Sequence, residues 1–378
     1  MGGIVLTDYV SYNGKKLRKG YTTGSCATAA TMAAIEILKT GHPVHQVNLT
    51  TPSGVELVIP IENTILTAQG VSCSVIKDGG DDADATHGMH IYSTVHYNDK
   101  GIIQLDGGEG IGRVTQPGLR VAVGEAAINP TPRKMITEAA EHLLPKGQGI
   151  TITITAPGGE KVALNTMNPK LGIVGGISIL GTSGIVTPMS EDSWKHAITV
   201  EMEQLYLKGH DKIVLVPGNY GENFLKEQTS INFDYAVQMS NFVGYVLLEV
   251  MRIGFKKVLL VGHLGKFIKI AGGIFSTHSK DSDARNEIMI ANLALLDAPL
   301  SLLQAVDAAL TTEAQYVVIK EAGYEAVYQH IVDKIKERAL KLLKFRAPEI
   351  EIEAITFLTQ YHLVVSTKPL TQLEEEWQ

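Results

Sequence analysis

Ile213-Val214-Leu215-Val216-Pro217-Gly218-Asn219-Tyr220-Gly221-Glu222-Asn223 and Val258-Leu259-Leu260-Val261-Gly262-His263-Leu264-Gly265-Lys266 decide how the fold is read. Each opens with an apolar run of strand length and passes at once into a turn containing glycine. Between them, Phe242 to Ile253 has the spacing of a helix, with Asn241 or Ser240 available as its cap and Gly254 as its stop. Strand, helix and strand in that order make the βαβ unit of an open, mostly parallel Rossmann-like sheet with helices on both faces.

Outward from this pair the same rhythm continues. Ser190 caps a helix that carries Glu191 and Asp192 in its first turn and ends near Gly209. Downstream, helices are expected near Asp283 to Leu296, Ser301 to Leu310 and Tyr324 to Leu343, with Tyr316 to Ile319 as a further strand. The tail, Ile350 to Ser366, can add a strand to either domain. Toward the N-terminus the pattern changes. A helix from Ser25 to Leu38, capped by Thr23 or Ser25, precedes the strands Val47 to Thr51, Val55 to Ile61, Val71 to Lys77 and Met89 to Tyr97. A helix from Asn129 to Leu144 and a strand from Ile150 to Thr155 follow. The expected organisation is α/β: a strand-rich N-terminal domain over 1–188, a Rossmann-like domain over 189–345, and a C-terminal strand and tail over 346–378.

Composition narrows the function classes. At 378 residues the chain is longer than one hydrophobic core usually serves, so two domains are the default. A net charge of -7 leaves no basic footprint for a nucleic-acid backbone. No apolar run approaches the length of a membrane span, and Leu6 stands where a myristoylation signal beginning at Gly2 needs Ser or Thr. Two cysteines, Cys26 and Cys73, fit a reducing compartment. These readings predict a cytoplasmic protein that binds neither nucleic acid nor membrane; the oligomeric state is open.

Open parallel sheets bind ligands beyond the carboxyl ends of their strands, so the two quoted turns are the first candidates. Neither meets the dinucleotide or P-loop glycine pattern. Gly175 to Gly184 offers many amides and three hydroxyls, suited equally to a carboxylate or ribose and to an interdomain hinge. Lys19 to Cys26 places hydroxyls at a helix start, either as an anion site or as a cap with hydroxyls to spare. The acidic run Asp78 to Gly88 lacks the spacing of a calcium loop and reads first as a hydrogen-bonded loop. Divalent metal binding is the alternative use of that run. Cys26 reads as a buried helix residue, and His278 and Arg285 remain candidates ahead of the Asp283 helix, where Asp281 or Ser282 is explained as a cap.

These stretches, in this order, resemble the cobalt-precorrin-5B C(1)-methyltransferase (CbiD) family: Arg18 to Ala27, Gly79 to Asp84, Gly108 to Gly112, Asn168-Pro169, Gly181 to Ile185, Pro217 to Gly221, Ser240 to Gly244, Gly262 to Lys266, Lys269 to Gly273 and Thr277 to Ser279. The resemblance runs from about Leu17 to Ala291. It implies transfer of a methyl group from S-adenosylmethionine to carbon 1 of cobalt-precorrin-5B, giving cobalt-precorrin-6A, with cobalt arriving inside the substrate, so that no protein metal site is needed. On that basis Thr182, Ser183, Gly184, Gly218, Asn219, Tyr220, Gly221, Glu222 and Asn241 are expected to hold the cofactor. Thr22, Thr23, Ser25, Lys266, Lys269, His278 and Arg285, with Arg18, are expected to meet the carboxylates of the macrocycle. His263 is expected to face the macrocycle as the catalytic acid–base, with a packed or capping role as the alternative. Two other classes compete. A non-catalytic cobalt-corrinoid carrier would not bind S-adenosylmethionine, and a nicotinamide-dependent precorrin reductase would bind NADPH.

Overall fold

In a computed structural model, residues 8–67, 70–343, 349–359 and 362–378 are described. The readings at Gly2 and Leu6, and the part of the tail at Gln360 and Tyr361, fall outside these. The chain separates into two compact units, Met1–Ser193 and Trp194–Gln378.

The first unit is built on helix α1 (Thr23–Thr40) and a five-stranded sheet. Its strands are β1 (Asn63–Leu66), β2 (Val71–Ile76), β3 (His90–Asn98), β4 (Ile103–Gly107) and β5 (Gly149–Thr155), in the order β1-β2-β3-β5-β4. Only the β4–β5 pair is parallel. α1 can lie flat on this sheet because its buried face is largely Ala27, Ala29, Ala30, Ala33 and Ala34, and a second helix, α2 (Pro130–Leu143), packs beside it. α1 starts two residues earlier than the apolar pattern suggests, and its cap is Thr22, whose Oγ1 accepts from Ser25 N at 3.2 Å.

The second unit begins with α3 (Glu191–Leu207), which crosses the boundary, followed by β6 (Lys212–Val216), α4 (Asn219–Gln228), β7 (Ala236–Gln238), α5 (Val243–Ile253), β8 (Lys257–His263) and α6 (Leu264–Ala271). Then come α7 (Arg285–Ala294), α8 (Leu300–Ala308), α9 (Thr312–Glu321), α10 (Ala326–Leu343), β9 (Glu351–Phe357), β10 (Val364–Ser366) and α11 (Leu370–Glu376). The sheet order is β7-β6-β8-β9-β10, parallel except for β10. Alternation along β6 covers both faces: Ile213 and Leu215 pack with α5, α6 and α10, while Val214 and Val216 pack with Phe224 of α4 and Leu373 of α11.

Three expectations are corrected. Tyr316 to Ile319 is no strand but the middle of α9. Neither Asn241 nor Ser240 caps α5: the cap position is Phe242, and the Ser240 hydroxyl instead donates to Asn241 Oδ1 at 3.1 Å. Asp281 and Ser282 do not cap α7, whose cap position is Ala284. The tail strand joins the second sheet, with β9 running parallel to β8 over seven residue pairs from Lys257–Glu351 to His263–Phe357.

Candidate functional site

The strand order fixes where a site can form in the second unit. From β6 the chain crosses through α4 to β7 on one side; from β7 it crosses back through α5 to β8 on the other. β6 and β8 are therefore neighbours whose outgoing connections diverge, the switch point beyond whose carboxyl ends open α/β sheets bind ligands. The two loops flanking it are Pro217 to Glu222 and His263 to Lys266.

On the β6 side, Gly218 precedes α4, and a Cβ built on it would meet no atom within 4 Å, so the space above this turn is open. Gly221 serves packing instead. A Cβ there would lie 2.8 Å from the Val216 side chain and 3.0 Å from Val261 O, so the glycine lets α4 lie against the strands. The Tyr220 ring is 69% exposed, with its centroid 6.1 Å from that of His263. Asn219 Oδ1 and Glu222 Oε1 accept from Gln238 Nε2, at 3.4 and 2.7 Å, and Lys226 lies 3.8 Å from the second carboxylate oxygen of Glu222. Glu222 is thus held within its own unit, and Asn219 and Tyr220 are the exposed side chains of this loop.

On the β8 side, His263 is the N-cap of α6: its Nδ1 accepts from Gly265 N at 3.1 Å. Its Nε2 lies 2.9 Å from Glu313 Oε1 and 3.3 Å from Thr359 Oγ1, and its ring meets that of Phe357 edge to face. Both nitrogens are thus engaged within this unit, and the contacts of His263 are those of the capping role, the alternative to its acid–base reading. Glu313 belongs to the first turn of α9 and Thr359 follows β9; neither was a sequence candidate. Burial pushes the Glu313 carboxyl up, but hydrogen bonds from Thr359 and its own amide, the His263 ring and the Thr312 hydroxyl outweigh it and leave the group below the usual carboxylate range.

Lys266, third in α6, is exposed and has no hydrogen-bond or ion-pair partner among the described residues. Its surroundings desolvate the ammonium enough to hold it below the usual lysine value. No acidic residue occupies this first turn, where the helix dipole repels a cation. Lys269, one turn on, is different. It is 3% exposed, and its Nζ donates to Thr277 O at 3.1 Å and Ser282 O at 2.8 Å. It ties down the 276–284 loop. Desolvation, and then the neighbouring Arg285, lower its pKa. That loop returns to the start of α5, where Asn241 O accepts from Thr277 N at 3.2 Å. His278 is exposed, with Nδ1 accepting from Lys280 N, and Arg285 is paired with Asp283 at 2.9 Å.

In the first unit, the helix start expected to meet substrate is closed by the protein itself. Thr22, Thr23 and Ser25 are buried; Ser25 Oγ donates to Gly184 O at 2.7 Å, Thr23 Oγ1 donates to Ser178 O at 3.2 Å and accepts from Leu180 N at 2.9 Å, and Gly24 N donates to Leu180 O. A Cβ on Gly181, whose φ is 140°, would fall 2.2 Å from Thr22 Oγ1. The Thr23 and Ser25 hydroxyls therefore fasten the 178–184 segment over α1, while that of Thr22 accepts from Ser25 N as the helix cap. Within that segment Ser183 O accepts from Ser53 N and Oγ, Gly184 O also accepts from Thr22 N, and the Thr182 side chain is exposed.

Arg18 is likewise committed, in a two-pronged pair with Asp78 at 2.6 and 2.7 Å. Fully buried Lys77 pairs with Asp84 at 2.7 Å, and Asp81 and Asp82 accept from the Arg18 and Met189 amides. The acidic run is a hydrogen-bonded loop. Burial pushes the Cys26 thiol up to about 12.

Comparison with known proteins follows the same lines. Residues 10–188 match the CbiD family and residues 276–368 the family of the CbiD C-terminal domain. A cobalt-precorrin-5B C(1)-methyltransferase of Listeria welshimeri is 52% identical, the match covering 99% of this chain and 100% of that protein. One of Citrobacter koseri is 47% identical over 98% of this chain and 97% of its own length. The crystal structure of a cobalamin biosynthesis protein (cbiD) from Archaeoglobus fulgidus is 26% identical, with a TM-score of 0.39 over 74% of this chain and 87% of the other.

Proposed function

The chain belongs to the CbiD family, and from that premise we propose that the carboxyl edge of its second sheet is where the family's methyl transfer takes place, with S-adenosylmethionine as donor. The activity is that of a C-methyltransferase: it methylates carbon 1 of cobalt-precorrin-5B, giving cobalt-precorrin-6A in cobalamin biosynthesis. A cobalt-corrinoid carrier and a nicotinamide-dependent reductase are set aside by the same relationship.

The observation that supports this placement is the pair of diverging loops at β6 and β8, one carrying an outward aromatic ring and the other a lysine without a hydrogen-bond or ion-pair partner among the described residues. S-adenosylmethionine supplies an electrophilic methyl on a cationic sulfur. The open turn at Gly218 lets a ligand approach the backbone, and the face of Tyr220 attracts a cation. Glu222, spent on Gln238 and Lys226, does not share that task. Lys266 and the positive end of α6 attract a carboxylate of the macrocycle, whose cobalt is part of the substrate. Holding a cation-binding ring and an anion-binding helix start on adjacent strands serves a reaction whose rate depends on orienting two reactants.

Calorimetric titration tests the donor half. S-adenosylhomocysteine and S-adenosylmethionine should both bind, and Tyr220→Ala should weaken the methionine form by about 5- to 30-fold more than the homocysteine form, the measure of a partly desolvated cation over an aromatic face. Equal weakening of both, or none, counts against Tyr220 as the sulfonium contact.

A further inference from the structure

We infer that Glu313 is a positioning residue for the methyltransferase: it fixes the His263 ring in the one neutral form that caps α6, and so sets how Lys266 and the helix start are presented. The inference rests on the site proposed above.

The ring geometry dictates the tautomer. A histidine nitrogen that accepts a hydrogen bond carries no proton, and Nδ1 accepts from Gly265 N at 3.1 Å. In the neutral ring the proton then sits on Nε2, which donates to Glu313 Oε1 at 2.9 Å. The other tautomer would set an Nδ1–H against the Gly265 N–H, two donors facing each other, and leave the first turn of α6 uncapped.

Glu313 is itself held at both oxygens. Thr359 Oγ1 donates to Oε1 at 2.8 Å and Thr312 Oγ1 to Oε2 at 3.1 Å. A carboxylate engaged by two hydroxyls and an imidazole is no mobile surface acid; it is an oriented acceptor of the kind that elsewhere fixes the ring of a functional histidine. The groups that bring it there come from three elements: α9 supplies Glu313 and Thr312, the segment after β9 supplies Thr359, and β8 supplies His263. Gly265 adds a fourth constraint, since a Cβ there would press on His263 Nδ1 at 3.2 Å and Thr312 Oγ1 at 3.4 Å. The one charged side chain in this first turn of α6 is Lys266, so the orientation of the cap and the placement of the lysine are one problem.

The test uses the full-length protein labelled with 15N at histidine, the His263 signals being assigned against His263→Asn. In the native protein, Nδ1 should show the shift of an unprotonated, hydrogen-bonded nitrogen and Nε2 that of a protonated one. Glu313→Ala should move both shifts toward a tautomer mixture and raise KM for cobalt-precorrin-5B about tenfold, with kcat changed less than threefold. Glu313→Gln keeps an oxygen acceptor for Nε2–H and can turn its amide to Thr312, so it should restore the native shifts and most of the KM. Unchanged nitrogen shifts in Glu313→Ala overturn the inference whatever the kinetics. A Glu313→Gln protein as impaired as Glu313→Ala overturns it too, because charge and not orientation would then matter. Altered shifts with a native KM would remove the substrate from this edge, a failure of the underlying site and not of the ring geometry.

Discussion

Replacing Lys266 by glutamine should make the protein slightly more stable and a poorer enzyme. Lys266 stands in the first turn of α6, has no counter-charge among the described residues, and sits in a partly desolvated position that already lowers its pKa. A cation at the positive end of a helix costs about 0.3–1 kcal/mol, so its removal should raise the melting temperature of the second unit by roughly 1–4 °C. The functional change runs the other way. A hydrogen bond from an ammonium to a carboxylate contributes about 1.5–3 kcal/mol, so its loss should raise KM for cobalt-precorrin-5B roughly 10- to 100-fold. Because a carboxylate remote from carbon 1 is held equally in the ground and transition states, kcat should stay within about threefold of the native value. Anaerobic steady-state transfer of labelled methyl, with substrate varied at saturating donor, measures the kinetic half, and scanning calorimetry the thermal half. A Lys266→Gln protein that melts several degrees lower and keeps its KM would show the lysine to be structural and refute the reasoning.

Other consequences follow from the contacts. His263→Ala removes the α6 cap, at a cost of about 0.5–2 kcal/mol in urea unfolding, whereas His263→Asn supplies another cap and should keep kcat/KM within about fivefold of native; equal inactivity of the two in the methyl-transfer assay would reinstate His263 as an acid–base. Asp84→Ala leaves the ammonium of Lys77 buried without its partner and should destabilise the first unit by about 3–5 kcal/mol, most of which adding Lys77→Met recovers in thermal melts. Gly181→Ala, with its Cβ forced onto Thr22, should loosen the 178–184 segment over α1, visible as faster amide exchange at Gly24 and Leu180. Acid should weaken the first unit. The Arg18 pair, against burial, holds Asp78 below the usual carboxylate range, and Lys77 and Thr86 outweigh burial at Asp84. A depressed folded pKa means stability that is fully present above about pH 4 and lost as pH falls through the folded values. Melts from pH 3 to 7 should be flat above about pH 5 and fall below about pH 4, and a fall confined to pH 6–7 would contradict this origin.

The parallel core of the second unit was legible because Ile213 to Val216 and Val258 to Val261 are continuous apolar runs ending in glycine turns, and the helix between them ends on Gly254. Tyr316 to Ile319 misled because Tyr-Val-Val-Ile has strand composition, and a short apolar run inside a helix looks the same by periodicity. The correcting signal was local: Thr311 caps α9 by accepting from Ala314 N, and Glu313 lies in the first turn, an ordinary helix-start signature. At three residues, Ala236 to Gln238 was too short to show a period. The helix start at Thr22 was visible as a run of hydroxyls, but only the return of Ser178 to Gly184 across more than 150 positions reveals that those hydroxyls are consumed. The same holds for His263: glycine and histidine after a strand mark a site, while the Glu313 carboxylate that fixes its tautomer comes from a helix 50 positions away. Local propensity speaks to elements, and the partners of a polar side chain are decided by packing.

The most direct test of the whole account is a crystal structure of the protein with S-adenosylhomocysteine bound. The sulfur should lie over or beside the Tyr220 ring, within about 6 Å of its centroid, with the rest of the molecule along the open turn at Gly218. A product molecule lodged wholly on the first unit, with Tyr220 and Gly218 bare, would contradict it.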